Sequence, residues 1–137
     1  MITLLTGKKG SGKTKKLIEM ANTAVASSKG NVVVIEKGSK LTYDISHQAR
    51  LIDVDAYHIS GLSAMTGFVS GICAGNYDVT DILIDSTLKI IGSEASDIEK
   101  LVGDFRALSE STNTNIVLSV SEAAEDIPQS IADLISK

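Results

Sequence analysis

The chain has 137 residues, 43% of them hydrophobic and 4% aromatic, with a formal net charge of −4; it is long enough for one domain over residues 1–137 with an aliphatic core, and its charge does not indicate nucleic acid as the main partner. A single cysteine, Cys73, excludes an internal disulfide framework and fits a reducing compartment. No apolar run approaches the ~20 residues of a membrane span, and Met1 runs straight into the first predicted strand, so the expectation is a cytoplasmic protein.

Ile2–Thr6 predicts a short buried strand. Gly7-Lys8-Lys9-Gly10-Ser11-Gly12-Lys13-Thr14 follows and fits G-x-x-x-x-G-K-[ST]. Lys15 to Ser27 predicts a helix with Leu17, Ile18, Ala21, Ala24 and Val25 as its inward stripe. A loop between strand and helix aims successive backbone N–H groups at an anion, and the helix dipole adds partial positive charge there. Gly7, Gly10 and Gly12 permit backbone angles and close approaches that a Cβ would block. Lys13 is placed to set its ammonium between β- and γ-phosphates, and Thr14 to put its hydroxyl on Mg²⁺. Gly7 to Thr14, with Lys8, Lys9 and Ser11, is thus the expected nucleotide-binding loop. Lys15 and Lys16, like Lys8 and Lys9, add charge without an individual role.

Asn31–Glu36 predicts the next strand. In Lys37 to Gln48, Leu41, Tyr43 and Ile45 alternate, a pattern that allows a small hairpin with the strand Arg50–Asp55. Leu62, Met65, Val69, Ile72 and Cys73 suit a helix around Ser60–Gly75; Gly67 and Gly71 weaken it and Gly75 stops it. Asp81–Asp85 is a fourth strand. Ile98, Leu101, Val102, Phe105 and Leu108 mark a helix that Ser96-x-x-Glu99 would cap. Asn115–Val120 is the fifth strand, and Pro128 opens a last helix through Ile135. Val32 to Ile35, Ile82 to Ile84 and Ile116 to Leu118 are continuous apolar runs, which suit strands covered on both faces. Alternating strands and helices predict a three-layer α/β/α sandwich on a mostly parallel five-stranded sheet.

Asp85 closes an apolar strand and would emerge at the carboxyl edge of the sheet, where open α/β sheets bind ligands. There it would hold Mg²⁺ beside Thr14, a Walker B pattern. Hydrolysis also needs a group to position the attacking water. The residue after Asp85 is Ser86, so the candidate is Glu36, at the end of the strand that follows the first helix.

At these residues the chain resembles the RecA-like branch of P-loop NTPases. That branch also ends the strand after the phosphate-loop helix in its catalytic Glu, and its Walker B strand often reads as an apolar run followed by Asp-Ser. The resemblance covers roughly Ile2 to Val120. It implies ATP rather than GTP as ligand, Mg²⁺ as cofactor, and catalytic roles for Lys13 and Glu36. It also places the Ile116 strand between the phosphate-loop strand and the Walker B strand, giving a sheet order of 50s, 30s, 80s, 110s, N-terminal strand. Two departures stand out. Leu118-Ser119-Val120-Ser121 lacks the Gln or Asn that reads the γ-phosphate, and no recombinase extension follows.

The expected function is Mg²⁺-dependent ATP binding with slow hydrolysis, dependent on a protein partner or on self-assembly. A nucleotide-gated adaptor module without hydrolysis and a small-molecule kinase are the alternatives. Residues 1–50 carry nine Lys and Arg against three Asp and Glu, and residues 51–137 carry four against fourteen. This asymmetry is compatible with head-to-tail self-association, though a mixed solvated surface accounts for it as well. Arg106 and Arg50 are read as helix or strand surface rather than arginine fingers, and Tyr43 as packing rather than a base platform. His47, His58 and Cys73 match no metal-ligand spacing.

Overall fold

A computed structural model describes residues 1–92 and 94–136. Five parallel strands form one sheet: β1 (Ile2–Thr6), β2 (Asn31–Glu36), β3 (Arg50–Asp53), β4 (Val79–Ile84) and β5 (Asn115–Val120). Their order across the sheet is β1-β5-β4-β2-β3, as expected. Four α-helices connect them: α1 (Lys13–Ser27), α2 (Leu62–Gly75), α3 (Thr87–Ile91) and α4 (Ala95–Thr112).

The strands are apolar on both faces because both faces are covered. On one face, Leu4, Ile35, Ile84 and Leu118 pack with Met65 and Val69 of α2, Ile90 of α3 and Leu101 and Phe105 of α4. On the other, Leu5, Val34, Leu83 and Val117 meet Leu17 and Ala21 of α1. Helices on opposite faces of the sheet make the arrangement α/β/α.

Residues 37–48 complete the α1 face without forming a hairpin. Leu41 and Ile45 are buried there, while Tyr43 is 97% exposed. The amide of Ile45 donates to the carbonyl of Leu41 (3.1 Å), so inward side chains recur at the spacing of a helical turn, not at alternate residues. Asn22 on α1 clasps the segment, donating to the carbonyl of Asp44 and accepting from the amide of Ser46, both at 2.9 Å.

Other elements also differ from expectation: β4 begins at Val79 and ends before Asp85, and the short helix α3 has no counterpart in the sequence pattern. β3 stops at Asp53 because its carboxylate accepts the amides of Asp55 (2.9 Å) and Gly38 (2.8 Å), and Val54–Tyr57 turns into a 3-10 helix. The capping box is not formed. α4 starts at Ala95, so Ser96 lies inside its first turn, and the carboxylate of Glu99 accepts from Ser130 instead. The last segment is a 3-10 helix over Gln129–Leu134, after which Ile135 bridges Leu4 on the outer edge of β1.

No described helix is long and apolar enough to cross a membrane.

Candidate functional site

Strand register decides which side chains reach the carboxyl edge together. Ile35 pairs with Ile52 and Ile84, Ile84 with Leu118, and Leu118 with Leu4. These face α2 and α4, so the next residue on each strand faces α1. That row runs Asp53, Glu36, Asp85, Ser119, Leu5. Three carboxylates from three adjacent strands therefore stand side by side at this edge, and Asp85 is the one that meets the start of α1, through Thr14.

The loop from Gly7 to Gly12 joins β1 to α1. Gly7 adopts φ 135°, and a Cβ there would lie 2.3 Å from Ser11 Oγ, so any other residue would be strained and would have to displace Ser11. Its amide donates to the carbonyl of Glu122 (2.8 Å), tying the loop to the chain leaving β5. Gly10 and Gly12 also have positive φ, which curls the backbone into a cradle ahead of Lys13. The first turn of α1 holds no acidic side chain to compete with an anion. Lys13 bends back over this cradle, its Nζ donating to the carbonyl of Lys8 (3.1 Å). Partial burial pulls its pKa below the usual lysine value, an effect that Asp85 opposes.

Thr14 Oγ1 donates to Asp85 Oδ1 at 3.2 Å, joining residues 71 positions apart. Asp85 is only 9% exposed, and Ser86 Oγ donates to its other oxygen, also at 3.2 Å. Ser86 itself sits at φ 53°, a left-handed conformation uncommon outside glycine, which turns the chain sharply from β4 into α3. The two residues expected to hold a metal are thus neighbours.

Glu36 differs from expectation in its surroundings. It is 2% exposed, and its carboxylate accepts the amides of Lys40 (2.9 Å) and Leu41 (3.3 Å). Burial raises its pKa, the two amides counteract that, and the charges of Asp85 and Asp53 raise it further. As placed, Glu36 anchors residues 37–48 and does not line the groove; a role toward water requires this anchor to release.

The groove itself has a volume of about 520 Å³. The loop forms part of its lining, with Asp85, Ser86, Ser119 and Ser121 at the strand ends. Lys40 and Lys89 also line it, and neither carries a local sequence signal. Lys40 reaches the groove only because Glu36 holds its turn, and Lys89 because Ser86 redirects the chain. Residues 37–48, which form no hairpin, therefore bear on the site through Lys40. A larger cleft of about 720 Å³ lies between the later turns of α1 and the amino ends of β4 and β5, away from the cradle. Arg106 pairs with Asp133 at 3.8 Å and lines a third cavity with Met1 and Ile2, away from the groove. Arg50 donates to the hydroxyl of Tyr57 (3.4 Å).

The chain matches no protein-family model, and no curated protein matches it significantly.

Proposed function

We propose that the groove binds a nucleoside triphosphate with Mg²⁺, and that the protein is a slow ATPase whose turnover depends on a partner or on self-assembly. The observation that carries this reading is the pairing of Thr14 with Asp85 at 3.2 Å beside a glycine cradle at the start of α1. In the proposed complex, amides of Gly7 to Thr14 and the ammonium of Lys13 hold the phosphates. Lys13 leaves the carbonyl of Lys8 to do so, which exchanges a neutral acceptor for a charged one.

A hydroxyl and a carboxylate oxygen are the hard donors that Mg²⁺ takes, with water filling the remaining positions. Thr14 and Asp85 fit that requirement, and the metal would offset charge on the non-bridging phosphate oxygens. The sheet order, with β5 between β1 and β4, further supports a RecA-like P-loop NTPase.

One observation favours a second reading, a nucleotide-gated binding module without hydrolysis. Glu36, the proposed water-positioning group, is occupied by two amides. Phosphate release and ATP binding by the wild type, Lys13→Ala and Glu36→Gln separate the two. Release lost in both variants, with binding kept in Glu36→Gln, supports the ATPase. Tight binding without release in the wild type supports the module. Absence of binding in the wild type overturns both.

A further inference from the structure

The groove is rich in cations and poor in anything that would grip a base. Five lysines line it, Lys9, Lys13, Lys15, Lys40 and Lys89, against one carboxylate, Asp85. Two of the five lie outside the phosphate loop. The backbone of Lys40 is fixed by its amide bond to Glu36 (2.9 Å), and that of Lys89 by its bond to the carbonyl of Ser86 (3.0 Å). Among the described residues neither has an acidic partner, the ion pairs being Lys37 with Asp55 and Arg106 with Asp133. Their charge is available to a ligand.

No aromatic side chain lines the groove. The chain has three Tyr and two Phe. Phe105 is buried on the opposite face of the sheet and Phe68 packs against the same cluster. Tyr43, Tyr57 and Tyr77 are exposed elsewhere. The one large apolar residue at the groove, Leu41, is itself 3% exposed. A base finds no stacking platform, so the affinity that aromatic stacking lends a bound base is missing here.

We infer that this groove reads the phosphate chain and not the base: nucleoside triphosphates of every base, and inorganic tripolyphosphate, are ligands of similar affinity, with Lys40 and Lys89 forming a second cationic wall. The inference rests on the triphosphate reading above and extends its ligand class from ATP to any triphosphate chain. Asp85 and Thr14 serve each of these ligands alike, because all carry the same oxygens for a shared Mg²⁺.

The test is calorimetric titration, with Mg²⁺ at physiological ionic strength, of ATP, GTP, CTP, UTP and tripolyphosphate. The proteins are the wild type, Lys13→Ala and the double variant Lys40→Ala/Lys89→Ala; both of the latter lysines are exposed, so the fold is kept. The expected result is five dissociation constants within about threefold of one another, since no base-specific contact separates them. The double variant weakens all five by about tenfold or more, as expected for losing charge-assisted bonds. A nucleotide that binds about tenfold tighter than tripolyphosphate, or a double variant with unchanged affinities, overturns the inference. ATP binding that needs Lys13 while tripolyphosphate fails to bind sinks this inference alone. Failure of all five ligands sinks the triphosphate reading with it.

Discussion

The two faces of the sheet are built for different work. The face under α2, α3 and α4 is apolar from end to end, with Phe105, Leu101, Ile98 and Met65 fully buried against Ile35, Ile84 and Leu118. The face under α1 is apolar only through Leu5, Val34, Leu83 and Val117, then ends in the row Asp53, Glu36, Asp85, Ser119. One face is a platform. The other gives up packing at its carboxyl end to gather charge, and borrows residues 37–48 to close itself. Burying like charges side by side costs stability, so such a row persists where something holds it. Here the amides of Lys40 and Leu41 hold Glu36, and Thr14 and Ser86 hold Asp85.

The largest effect belongs on the platform. Phe105→Ala removes a fully buried ring and should cost about 3–5 kcal/mol in chemical denaturation. A much smaller loss would mean that this face is loosely packed and the contrast is false.

Glu36→Ala should come next. It leaves the amides of Lys40 and Leu41 without their acceptor, at a cost of about 2 kcal/mol after relief of repulsion with Asp85 and Asp53. The same variant should raise hydrogen exchange over residues 37–48 while leaving α4 protected. Uniform loss of protection would make Glu36 an ordinary core residue.

The smallest effect is the pH dependence. The folded state holds the proton on Glu36 to a higher pH than the unfolded chain, whose carboxyl titrates near 4.5. Folded protein therefore binds more protons as pH rises from that value to the raised one, and stability falls across the window. Glu36→Gln cannot lose a proton. Its melting temperature should gain on the wild type through the window and then run parallel. A gap that stays flat from the start would show that burial and the neighbouring carboxylates do not act on Glu36.

The platform was legible in the sequence because its signals are local. Val32 to Ile35 and Ile82 to Ile84 announce strands covered on both sides, and Ile98, Leu101, Val102 and Phe105 recur at helical spacing. The glycine loop between β1 and α1 was legible for the same reason. What was hidden depends on register between strands. Nothing within Arg50 to Asp55 shows that Asp53 stands beside Glu36, or that its carboxylate would end the strand two residues early. Leu41, Tyr43 and Ile45 fit two periods at once, and packing against Leu5, Val34 and α1 selects the helical-turn spacing that leaves Tyr43 in water. Lys40 and Lys89 reach the groove through backbone turns set by Glu36 and Ser86, so no local pattern points to them.

The most direct test is the melting temperature of the wild type and of Lys13→Ala, each with and without millimolar ATP and Mg²⁺. A ligand that binds only the folded state raises it. A triphosphate-binding groove gives a clear rise in the wild type and none in Lys13→Ala. No rise in the wild type, or an equal rise in both proteins, would overturn the triphosphate reading.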